Sequence, residues 1–138
     1  MQQELEERIM QDFPWFEARN VWTGELLGFA HGCECDDGWF NLIYDLCQEI
    51  DDEYKKLGKD ISNLMIYQIK EKYGGLHFYT NGTYPSVNNI IHNYENMSYK
   101  VCEICGKPGK LMSSGSWFKT LCEECANELG YKECSTYI

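Results

Sequence analysis

Four cysteines near one end of the chain, Cys102-Glu-Ile-Cys105 and Cys122-Glu-Glu-Cys125, constrain its fold more than any other feature. The two C-x2-C hooks have sixteen residues between them. Each hook bends two sulfurs onto one ion, and Zn2+ accepts four soft thiolates in a tetrahedron, so this spacing points to a single four-cysteine zinc site. Around it the sequence predicts a knuckle closed by Gly106 to Gly109, a short strand over 110–112 and a loop over 113–116. A second strand over 117–121 and a helix from Cys122 to Leu129, stopped by Gly130, complete the segment.

Knuckle, hairpin, then a helix whose first turn carries the last two ligands is the order of a treble-clef-like finger. A helix N-terminus suits thiolates, because its unpaired N–H groups and positive dipole end favour the charged sulfur. Four cysteines close the shell and leave no place for an activated water. Finger-based nucleases need histidines beside the metal, and none follows His92. The ion is therefore expected to be structural. Such sites bind with about 10–16 kcal/mol of apparent free energy, comparable to a small domain's whole stability. Residues 101–130 should unfold without it.

A chain of 138 residues with ten Tyr, six Phe and four Trp can bury a real core. The expectation is an α+β core domain over 1–100, a β-hairpin sheet packed by amphipathic helices, with the finger module 101–138 packed on it. No apolar run reaches membrane-spanning length, and the acidic stretch 1–7 lacks the features of an export signal. That predicts a cytoplasmic, reducing setting in which eight cysteines are free for metal rather than paired.

Acidity is concentrated at one end. Residues 1–60 hold fifteen acidic against five basic side chains, a net of −10, while 61–100 and 101–138 come to +1 and −1. A finger docking on phosphates needs clustered Lys and Arg, so duplex nucleic acid is disfavoured and a basic protein partner is favoured. Asp51, Asp52 and Glu53 are the candidate contacts.

Leu5, Ile9 and Phe13 recur at four-residue steps and predict a helix over 2–13, ended by Pro14, with Trp15 and Phe16 as core anchors. Val21–Thr23 and residues 25–29 are candidates to pair about Gly24. Trp39, Ile43, Leu46, Ile50, Tyr54 and Leu57 predict a helix over 38–57, capped by Asp36 or Asp37 and stopped by Gly58. A hairpin follows, with 64–73 and 76–80 flanking Gly74-Gly75 and Tyr73 opposite Leu76. Its inner face would carry Met65, Tyr67, Ile69, Glu71, Tyr73, Leu76, Phe78 and Thr80. Lys70, Lys72, His77 and Tyr79 would lie outside. Ser86 is expected to cap a last helix with Val87, Ile90, Ile91, Tyr94 and Met97 inward.

Other residues offer weaker chemistry. His31, Cys33 and Cys35, with Cys47 in reach, form a candidate second metal site and hence a metalloenzyme alternative, although a C-x-C turn holds two sulfurs on one ion less comfortably. Cys47 reads better as a buried inert thiol and Cys134 as a spare one. Glu71 on an apolar face suggests a salt bridge or a sheet rim. Lys70, Lys72, His77 and Tyr79 give a second alternative, a nucleic-acid-associated finger protein, set against the ordinary role of lysines in guarding a sheet. There is no nucleophile motif and no phosphate loop, so no catalytic residue is assigned.

Gly38-Trp39-Phe40-x-Leu42-Ile43-x-x-Leu46-Cys47-x-x-Ile50 and Gln68-x-Lys70-Glu71-Lys72-x-Gly74-x-Leu76-x-Phe78-Tyr79 are joined by Cys102-Glu103-x-Cys105-Gly106 and Trp117-x-x-Thr120-Leu121-Cys122. Together, over residues 33–126, these motifs resemble a group of small phage- and prophage-encoded proteins without an assigned activity. The resemblance implies a mobile-element or bacterial context and carries over no catalytic residue. By analogy, a small acidic protein without an evident active site in that context is expected to be a non-enzymatic binding protein that inhibits a component of host defence.

Overall fold

The computed structural model describes residues 1–17, 22–26 and 32–134. The first apolar repeat becomes α1 (Gln3–Asp12), with Ile9, Phe13 and Phe16 buried. The longer one becomes α2 (Phe40–Leu57), entered through a 3-10 turn over Asp37–Trp39. Trp39, Ile43, Leu46 and Ile50 are fully buried, and only a 3.6-residue period puts all four on one face. Gly58 adopts φ 66° and Lys59 N–H bonds Tyr54 O at 3.0 Å, closing the helix with a left-handed residue that Gly supplies without steric cost. Neither Asp36 nor Asp37 caps α2, because the intervening 3-10 turn separates them from its start. Asp37 instead accepts Gln2 N–H at 2.8 Å, at the beginning of α1.

The first sheet has the order β1 (Cys33–Glu34), β2 (Ile66–Lys72), β3 (Gly75–Thr80), with β1 parallel and β3 antiparallel to β2. The hairpin exists, but its loop is Tyr73-Gly74, with Lys72 opposite Gly75 and Glu71 opposite Leu76. Both loop residues have positive φ, 52° and 86°, the geometry whose twist matches the flanking strands. The register therefore differs from the expected one by two residues, an even shift that keeps Ile69, Glu71, Leu76 and Phe78 on one face. An irregularity between Ile66 and Gln68 reverses the alternation upstream. Leu64 and Ile66 are consequently buried, and Met65 and Tyr67 are not. Tyr73, at the turn, is exposed rather than inward.

α3 (Pro85–Met97) packs on α2 and β3 through Val87, Ile91 and Tyr94. Pro85 occupies its first turn after Tyr84, so Ser86 lies inside the helix instead of capping it. Met97 turns outward at the last turn. The end of α3 also seals the outer edge of β3: Leu76 N–H donates to Ser98 Oγ and Phe78 N–H to Glu95 Oε2, both at 2.9 Å.

The second sheet, β5-β4-β6, belongs to the finger. β4 (Lys110–Ser114) runs two residues past expectation and turns through Gly115-Ser116 into β5 (Trp117–Leu121). α4 (Glu123–Leu129) and an unanticipated β6 (Lys132–Glu133) follow. The fold is thus α+β with a C-terminal four-cysteine cluster. Buried side chains form one cluster from Ile9 to Tyr94 and a small second one of Cys102, Met112, Leu121, Cys125 and Ala126. Val21 and residues 27–29 of the pairing proposed about Gly24 lie outside the described residues. Among those described, no helix is long and apolar enough to cross a membrane.

Finger and core meet at Gly38 and Trp39. Gly38 N–H donates to Glu103 O at 2.7 Å and Trp39 Nε1 to Val101 O at 2.9 Å. A Cβ on Gly38 would fall 2.3 Å from Cys102 O and 2.5 Å from the Glu103 carbonyl carbon. Backbone cannot give way there as a flexible side chain would. Gly38→Ala should cost about 1–3 kcal/mol, read as a lowered urea midpoint; an unchanged midpoint would show that this contact does not form.

Candidate metal centre

The knuckle is built by backbone bonds: Cys102 N–H donates to Lys107 O at 2.8 Å and Gly106 N–H to Cys102 O at 2.9 Å. Gly106 has φ 80°, which lets the chain reverse there. The other pair sits where α4 begins, with Cys122 at the N-cap and its sulfur accepting Cys125 N–H at 3.5 Å. All four sulfurs lie within 4.8 Å of one another, and Cys105 Sγ and Cys122 Sγ are 3.6 Å apart. A disulfide requires about 2.05 Å. A tetrahedron with metal–sulfur bonds of about 2.3 Å has edges of roughly 3.8 Å, so these residues fit one metal ion.

Electrostatics point the same way. Burial pushes the Cys102 thiol up, but N–H groups of Cys105, Cys122 and Ile104 outweigh it and bring its pKa down to about 7. Cys125 is driven the other way, by burial and then by the neighbouring sulfurs. Like charges this close cannot all ionise unless a cation sits among them. Among the described residues, no other group of three or more His, Cys, Asp or Glu converges in this way.

Beside the cage sits Glu103, 1% exposed. Its carboxylate accepts Asp36 N–H at 3.0 Å and pairs with Lys119 Nζ at 3.1 Å. Burial raises its pKa, against the opposing pull of Lys119 and the Asp36 N–H. Glu103 thereby ties the knuckle to β5 and to the segment leading into α2. Composition and periodicity do not separate it from Glu123 or Glu124, which lie between the cysteines of the other hook.

The remaining candidates form no second convergent group of metal-ligating atoms among the described residues. Cys33, Cys35 and Cys47 are buried thiols, and burial pushes Cys35 up to about 12. Their proposed partner His31 lies outside the described residues. Cys134 is half-buried just after β6. Asp51 is engaged internally, accepting Trp15 Nε1 at 3.2 Å and bridging Lys55 at 3.0 Å, and Asp52 accepts from Gln48 at 3.0 Å. Glu53 is half-buried. Lys70 lies opposite His77, whose ring stacks on Tyr79 at 5.8 Å, so these three share the outer hairpin face with Lys72. Glu71 Oε2 accepts Gly74 N–H at 2.7 Å and so serves the hairpin turn. His92 pairs with Glu95 at 3.1 Å.

Fold and site together define an α+β protein with a C-terminal four-cysteine cluster that fits one metal ion. No protein-family profile, curated protein or solved structure matches the chain.

Elemental analysis of protein purified under reducing conditions should find one metal ion per chain, and none in a Cys102→Ser, Cys125→Ser double variant; two ions in the parent chain would contradict a single centre. Lys119→Met leaves the Glu103 carboxylate buried without its counter-charge and should cost about 3 kcal/mol at neutral pH, the low end for a broken buried pair because Lys119 is partly exposed. The loss should shrink as pH falls, beginning above the ordinary glutamate range, because burial already raises the Glu103 pKa and removal of Lys119 raises it further, and a protonated carboxyl needs no cation. Denaturant titrations of variant and parent at matched pH check both statements.

Proposed function

We propose that the protein is a non-enzymatic binding protein, stapled by one structural Zn2+, that docks a basic protein partner through an acidic helix face. The closed four-sulfur cage carries this reading: four thiolates suit Zn2+ and leave no coordination position for a substrate or an activated water. An acidic surface is the second support. On α2, Asp45, Glu49 and Asp52 are exposed at helical spacing, within the stretch 1–60 that holds the whole net charge of −10. Such a face attracts basic partners at long range and speeds encounter. Asp51 belongs less to it than its sequence position suggests, since it is held by Trp15 and Lys55.

The resemblance to phage-borne proteins favours a mobile-element setting, in which a compact acidic protein blocks a basic groove of a host-defence component. Affinity capture from bacterial lysate on zinc-loaded protein tests the proposal, with an Asp45→Lys, Asp52→Lys variant as the control. A basic protein retained by the parent and lost by the variant, with retention falling as salt rises, is expected. Equal retention by both would overturn the acidic-face reading.

A further inference from the structure

In a chain of net charge −10, one groove runs against the overall pattern. It lies where the β2–β3 turn meets the β4–β5 hairpin, measures about 580 Å³, and is lined by Lys70, Lys72, Tyr73, Trp117, Phe118 and Tyr131, with Glu71 and Lys119 also contributing. Two of its aromatic rings are far more exposed than folding requires: Tyr73 is 69% and Trp117 73% accessible. Tyr73 is also the only described non-glycine residue with positive φ, a conformation rarely given to an aromatic residue.

Its charges are available to a ligand. Lys70 and Lys72 stand 5.8 Å from the ring centroids of Tyr79 and Tyr73, over rings and not against carboxylates. Lys119 is paired with Glu103 at 3.1 Å and Asp36 at 3.7 Å, and Glu71 accepts the Gly74 N–H, which leaves the two lysines Lys70 and Lys72 against the one lining carboxylate of Glu71. Ammonium groups beside exposed flat rings match a ligand that alternates phosphates with planar bases. The volume lies within the usual range for small-ligand pockets, roughly 300–1,000 Å³.

We infer that this groove binds single-stranded nucleic acid, stacking bases on Trp117 and Tyr73 while Lys70 and Lys72 meet phosphates. Duplex fits poorly, since its bases are already stacked and the acidic remainder of the chain repels a long charged rod. The site is separate from the acidic face of α2, so the two readings fail independently.

Fluorescence anisotropy of labelled oligothymidylate and oligouridylate with the metal-loaded full chain tests the inference. Binding at low salt should weaken with a log–log salt slope of about −1.4 to −2, the value for two or three phosphates. Trp117→Ala, a change at an exposed residue, should weaken it roughly tenfold. Lys70→Glu with Lys72→Glu should abolish it, and Asp45→Lys with Asp52→Lys should not weaken it. No binding at low salt, indifference to both groove variants, duplex held as tightly as single strand, or equal competition by uridine monophosphate or polyglutamate would each overturn it.

Discussion

Mutual repulsion among four sulfurs is the constraint on which the C-terminal third of this protein depends. Cys102, Cys105, Cys122 and Cys125 converge within 4.8 Å, an arrangement that only a cation makes favourable once the thiols ionise. The apolar cluster beneath them is small, and two of its five residues, Cys102 and Cys125, are themselves ligands. So small a core cannot offset the entropy of ordering the hairpin and α4. A metal held by the four cysteines would do so, and the knuckle it would fix carries the carbonyls of Val101 and Glu103 that receive Trp39 Nε1 and Gly38 N–H.

From that anchor, order spreads through polar groups as much as apolar ones. Glu103 is a buried carboxylate shared between finger and core, with Lys119 as its counter-charge and the Asp36 N–H as a second donor. Thr120 Oγ1 donates to Gly74 O at 2.7 Å, holding the finger hairpin against the core hairpin. A similar device operates at the other end of the core, where the buried Glu6 carboxylate accepts Cys33 N–H at 2.6 Å. The Thr120–Gly74 bond joins the two hairpins, and the groove is lined by residues of both.

The features legible in the sequence were those with a local cause. Cysteine spacing, the Trp39–Tyr54 stripe with its Gly58 stop, and the hairpin near Gly74 follow from periodicity and ligand geometry within a short window. The hairpin register did not, because Gly74-Gly75 and Tyr73-Gly74 are both two-residue loops, and the choice between them is settled by twist and by Glu71 reaching the Gly74 N–H. The Asp36/Asp37 cap failed because Asp37 bonds across 35 residues to Gln2. β1 and β6, two residues each, are too short to carry an alternating signal. Glu6 and Glu103 read as surface carboxylates until the chain folds over them.

Hydrogen exchange, followed by mass spectrometry on the metal-loaded chain and on the same chain after a strong chelator, tests the central claim most directly. Amides of β4, β5 and α4 should lose their protection when the metal is withdrawn, while those of α2, β2 and β3 keep most of theirs. Undiminished protection of the finger in demonstrably metal-free protein would contradict the account.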